Sequence, residues 1–187
     1  MKSHVMVASC LVIAVLLSYC TPPEKVEEIK SPTFLFVEGH APVWEAAISQ
    51  VIALIDSMPG DQLGYRPHEE LRTFSEQIVH IGGSSKVIAN LYLKDIPPPA
   101  EQPEMDIESM SKEDLKAFVK GQLSEAWEII ASVSDEDLKG QIKSFGGNDM
   151  TRMEGLLTVH DHLSNHKAKV NMYVRLSGNN PPPYSYY

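Results

Sequence analysis

Three histidines fall within the seven residues HDHLSNH, at positions 160, 162 and 166. Imidazole is the side chain best suited to bind a transition metal or to move a proton near neutral pH. His162 and His166 are four apart, and on an α-helix that spacing stacks two rings on one face, where both reach a single ion. His160 is two residues from His162, roughly 200° around the helix, and does not share that ion readily. The pair alone fits surface imidazoles or satisfied core histidines equally well. A third histidine, His80, lies in SEQIVHIGGSS, in a row with Ser84, Val87 and Leu91 inside another helical segment. Taken alone, such a ring is a core histidine bonded to a neighbouring carbonyl. Together with the pair, it raises the case for a shared site.

Other polar side chains near these histidines have plainer roles to consider. Glu76, one turn before His80, is placed as a helix cap, with a general base or a carboxylate that orients a metal-binding histidine as the alternative. Asp161 reads as a surface carboxylate. Arg175 either holds an anionic substrate or fixes the helix end by an ion pair. Both cysteines, Cys10 and Cys20, lie near the N-terminus. No thiol is therefore present downstream for nucleophilic catalysis or for a cysteine-based zinc site.

Four amphipathic segments position these residues. The first spans about 42–58, with Val43, Ala47, Val51 or Ile52, and Ile55 on one face, and stops at the turn-rich PGDQLGYRP. The second spans 73–93, opens with a Thr73/Glu76 capping box, and turns Phe74, Ile78, Ile81, Ser85, Ile88 and Tyr92 inward. A proline-broken crossover, KDIPPPAEQPEMDIESM, separates it from the third, 111–133, whose inner residues are Leu115, Phe118, Val119, Leu123, Trp127 and Ile130. A loop with a short hairpin around Ile142 and Phe145 leads to the fourth, 151–176. That helix ends before Gly178, with Met153, Leu156, Leu163, Val170 and Val174 on its core stripe and His162 and His166 at the margin of that stripe. The pattern predicts an all-α four-helix bundle with a long crossover between helices 2 and 3.

With 187 residues, 43% hydrophobic and 22% charged, the chain supports one cored domain. Its first 19 residues combine Lys2 with a 13-residue apolar run at 5–17, too short to span a bilayer and suited to a secretory signal. The following LLSYC resembles a bacterial lipobox, which would make Cys20 a lipidated first residue; Tyr19 departs from the small residue usual there. Residues 20–33, polar and proline-broken, read as a flexible tether, and 34–187 as the folded body. These features predict an exported protein held at the membrane of a bacterial cell envelope through an N-terminal lipid anchor. The net charge of −9 and the absence of a Lys/Arg cluster argue against nucleic acid as a partner.

The segments YRPHEELRTFSEQIVHIGGSS and, about eighty residues on, DHLSNHKAKVNMYVRLSGNNPPPY together resemble the DinB superfamily. The first carries a histidine after a proline-containing turn and an aromatic-Ser start, here Tyr65-Arg66-Pro67 and Phe74-Ser75. The second carries His-x-x-x-His, Tyr-x-Arg, Gly and Pro-Pro, matched by His162, His166, Tyr173, Arg175, Gly178, Pro181 and Pro182. Many relatives have His-His-Arg-Gly-Gln where this chain has Asn165-His166-Lys167-Ala168-Lys169. The resemblance implies a four-helix bundle with a divalent-metal site of three histidines, His80, His162 and His166, and pairing into a homodimer through helices. It also implies a metal-dependent hydrolase or thiol transferase acting on a small substrate. The alternative is a membrane-tethered binding or interaction bundle whose metal is not catalytic. All-nitrogen ligation suits zinc, nickel, iron or copper over magnesium or calcium, and zinc or nickel is the expected ion. Three ligands with reference pKa near 6.5 are expected to lose the ion as the pH falls through that value.

Overall fold

The computed structural model of the chain describes residues 32–101 and 104–184. The leader and the Cys20 anchor lie outside the described residues, as does nearly all of the tether. The elements run α1 (Pro32–Ser57), α2 (Phe74–Lys94), α3 (Lys112–Ala131), α4 (Asp135–Leu138), β1 (Gln141–Lys143), β2 (Asp149–Thr151) and α5 (Arg152–Leu176). Single 3-10 turns stand at Gly60–Gln62 and Ile107–Ser109.

Local chemistry sets the starts of three long helices. Thr73 with Glu76, Ser111 with Asp114, and Thr151 with Glu154 each form a complete capping box ahead of α2, α3 and α5. The reciprocal bonds satisfy N–H groups that a helix start would otherwise leave orphaned. At the other end of α2, Asp95 adopts a left-handed conformation and its N–H bonds the Asn90 carbonyl. The first helix begins ten residues earlier than its sequence suggests, with Pro42 inside it. Pro42 is exposed, so water can offset the helical hydrogen bond that proline cannot donate.

The long helices form a closed ring of neighbours: α2 packs on α3 and α5, and α1 packs on the other side of the same two helices. Val51 and Ile55 of α1, Ile78 and Ile81 of α2, Val119 and Leu123 of α3, and Leu156, Leu163 and Val170 of α5 are fully or almost fully buried between them. The inner stripe expected for α2, from Phe74 to Tyr92, is buried throughout. On α3, Phe118 and Trp127 are only half-buried, and Ala126 takes the inner position beside Leu123 and Ile130. The α1 face is turned slightly from its expected direction, so that Trp44 is buried where Val43 is half-buried. The Trp44 indole N–H donates to the Leu123 carbonyl at 3.0 Å, which ties α1 to α3 and meets the polar requirement of a buried indole.

Two glycines allow close helix approach. A Cβ at Gly155 of α5 would lie 2.7 Å from the Tyr92 Cβ of α2, and one at Gly82 of α2 would lie 3.1 Å from the Gln122 Cβ of α3. The Gly155 contact brings the C-terminal end of α2 against the start of α5, so the two helices run antiparallel. The β1–β2 hairpin stands at that end: Ile142 is buried opposite Met150, and the Phe145 N–H donates to the Tyr92 hydroxyl at 3.1 Å. Arg152 donates to the Tyr92 carbonyl at 3.2 Å and pairs with Asp95. These contacts fix the register of α5 on α2.

Candidate metal centre

Antiparallel packing of α2 and α5 brings His80 against His162 and His166. One ligand atom from each lies within 4.8 Å of the other two. The His80 ring centroid is 5.2 Å from that of His162 and 4.4 Å from that of His166, and His162 and His166 are 4.4 Å apart. Among the described residues this is the one group of three or more His, Cys, Asp or Glu with such geometry. His80 comes from the first half of α2, and the other two come from successive turns of α5.

The surroundings of the three rings fit a metal ion. Ser84 Oγ lies 2.8 Å from His80 Nδ1, and the Gln77 side-chain amide bonds His166 Nδ1. Both contacts engage Nδ1 and leave Nε2 of each ring as the open nitrogen. His162 Nδ1 is buried with no hydrogen-bond partner. A buried ring nitrogen without a partner is costly, and a metal or water would satisfy it. All three rings favour the neutral form that can ligate. Burial lowers the His80 pKa to about 4, with Arg72, His162 and Lys169 adding to the effect. Burial, then His162, His80, Lys169 and Arg72, lower that of His166 to about 3. His162 is also shifted down, first by burial and then by Lys169. The unshifted value near 6.5 expected from the sequence therefore does not apply in the folded protein.

Neighbouring residues take different parts. The Glu76 carboxylate accepts from the Thr73 N–H at 2.6 Å and pairs with Arg66 at 3.5 Å. The Thr73 bonds hold it below the usual carboxylate range, so Glu76 acts as a cap. Asp161 is exposed. Arg175, also exposed, turns its Nε to Asn171 Oδ1 at 3.2 Å. His160 is separate from the triad: its ring stands 4.6 Å from that of His40, in an aromatic cluster with Trp44 and Trp127. Grooves of about 520 and 530 Å³ run along α1, one beside Gln50 and Pro182 and the other beside Lys116 and Lys120. Neither includes a triad histidine, so the site is defined by ligand chemistry and not by cavity volume.

The match to known proteins agrees with this arrangement. A protein-family model described as the DinB superfamily matches residues 44–169, which contain all three histidines. The chain belongs to the DinB superfamily. No curated protein matches it. Among solved structures, a DinB-like protein from Bacillus subtilis is similar with a TM-score of 0.64 at 22% identity, over 80% of this chain and 96% of that one. Another DinB-like protein, from Bacillus cereus, gives 0.62 at 18% identity over 79% and 97%. A conserved protein from Enterococcus faecalis gives 0.60 at 15% identity over 78% and 96%. At these identities the likeness concerns the fold, and the DinB-superfamily site rests on this chain's own histidines.

Proposed function

We propose that this DinB-superfamily protein is a four-helix bundle that works as a divalent-metal-dependent enzyme on a small substrate, by hydrolysis or by thiol transfer. One observation carries the reading: three neutral imidazoles from two helices, with ligand atoms within 4.8 Å of one another. Three protein ligands on a tetrahedral ion leave a position for water or substrate, as in catalytic zinc sites. When bound, the ion would supply Lewis acidity and a lowered pKa for a water or thiol at that position. His80, His162 and His166 would hold it, with zinc and nickel the leading candidates. Ser84 and Gln77 would orient two of the rings, as hydrogen-bond partners of metal-bound histidines do. The test is a screen of small esters, amides and thiol adducts with metal-loaded and chelated protein. Turnover lost on chelation and restored by metal supports the enzyme.

One observation favours a second reading, a binding bundle with a non-catalytic metal. The triad contains no carboxylate among the described residues, and Glu76, one turn from His80, is engaged as a cap. A small ligand bound equally well with and without metal, together with no turnover, would select this reading.

From the sequence of the leader alone we also propose an exported form held at the membrane through Cys20. Cys20→Ala should move the protein from the membrane fraction to the soluble fraction. Continued membrane association with an uncleaved N-terminus would contradict lipidation.

A further inference from the structure

His162, His166, Lys169 and Tyr173 share one strip of α5, within about 60° of one another at 100° per residue. Lys169 follows His162 by seven residues and so lies almost directly in line with it. Because α2 runs antiparallel to α5, the start of α2 adjoins this C-terminal half of α5. Arg72 stands there, two residues ahead of Phe74. Behind burial, the charges of Arg72, Arg66 and the Glu76 carboxylate all act on Tyr173, whose ring is buried on the same strip.

Arg72 and Lys169 differ from the other surface cations in what their charges act on. Arg66, Lys86, Lys116, Lys143 and Arg152 all pair with carboxylates. The exposed side chains of Arg72 and Lys169, like those of Lys94 and Lys120, form no ion pair or hydrogen bond among the described residues, although the Arg72 charge also acts on the Glu76 carboxylate. Arg72 and Lys169 act on all three histidines, behind burial as the leading influence, whereas among the described residues Asp161 is the one carboxylate acting on any of the three, and it acts on His162 alone. Neutral imidazoles leave both charges of a divalent ion uncompensated. With Arg72 and Lys169 beside it, the loaded site becomes a concentration of positive charge on a chain of net charge −9, a setting that draws in and orients an anion.

We infer that the metal centre takes an anionic substrate, a small carboxylate or phosphate ester whose charged oxygens are held by Arg72 and Lys169 beside the three histidines. This rests on the metal reading above and adds the substrate class. Arg175, the cation that the sequence singles out for such a role, is turned towards Asn171 instead.

The test uses the full chain loaded with cobalt(II), with inorganic phosphate as the probe. Phosphate binding is followed by the visible absorption of cobalt in the unmodified protein, Arg72→Ala and Lys169→Ala, and cobalt affinity is measured in parallel. Each substitution should weaken phosphate binding roughly three- to tenfold, the range for exposed charge contacts. Each should leave cobalt binding unchanged or tighter, because a like charge next to the ion has been removed. Affinity for imidazole, a neutral ligand for the open position, should stay the same. Unchanged phosphate affinity at full cobalt occupancy overturns the inference and leaves the metal site standing. Parallel loss of cobalt and phosphate reveals a structural role for these residues and also overturns it. An unmodified protein that takes up no cobalt overturns the metal reading, and the inference with it.

Discussion

Gln77 controls which nitrogen of His166 a metal can use. Its amide nitrogen stands against Nδ1, and a ring accepting there would carry its proton on Nε2, the nitrogen needed for the ion. The orientation of a glutamine amide is an assignment, and its reverse lets Oε1 accept from Nδ1–H and frees Nε2. A metal held through Nε2 would select that reversed state. Gln77→Ala should therefore weaken metal affinity about 10- to 100-fold, as read by competition with a chelator. Unchanged affinity would remove Gln77 from the site. The pH dependence belongs to the same side chains. His80 and His166 have folded pKa values of about 4 and about 3, below the unfolded value near 6.5. Between these limits the unfolded chain binds more protons than the folded one. The metal-free fold is thus at full stability above about pH 6.5 and weakens as the pH falls towards 4. The folded triad stays neutral over most of that range, so the difference in melting temperature between metal-loaded and chelated protein should persist at pH 5. Its collapse near pH 6.5 would mean that the rings are not desolvated as described. The histidines were legible in the sequence because helical spacing aligns them, whereas the bond of Ser84 to His80 took the place of the backbone carbonyl expected there. Gln77 was not, since a polar residue three before His80 looks like solvent-facing surface until α5 covers it.

The α2–α5 pair positions the site, and Gly155 sets the approach of the two helices. In a helix, replacing Gly by Ala gains about 1 kcal/mol of propensity. Here the added Cβ would meet the Tyr92 Cβ at 2.7 Å, an atom fixed to the α2 backbone, so the helices themselves must part. Overpacking of that kind costs about 1–3 kcal/mol, and at this distance the upper end applies. Gly155→Ala should lose roughly 2 kcal/mol net in a denaturant titration, and a variant more stable than the original would show that the contact is slack. Capping patterns at Thr73 and Ser111 made the starts of α2 and α3 readable to within a residue, apolar spacing placed that of α5 near Thr151, and the hairpin was signalled by Ile142. The start of α1 was not, because Pro42 reads as an N-terminal position and its tolerance inside a helix depends on facing water. Trp44 was missed for a related reason: Val43 and Trp44 are both apolar, and only packing against α3 decides which one points inward.

At the scale of the whole molecule, an apolar core shared by four long helices stands independently of the metal, because its buried residues come from every helix and the triad lies beside them. Removing the ion should leave a folded protein, whereas removing a ligand should abolish loading. The most direct measurement is the metal content of purified, folded His80→Ala, His162→Ala, His166→Ala and His160→Ala variants beside the unmodified protein. The unmodified protein and His160→Ala should each hold close to one equivalent of a transition metal, and the other three should hold very little while keeping their helical circular dichroism. A metal-free unmodified protein, loss at His160 equal to that in the triad, or full loading without His80 would contradict the account.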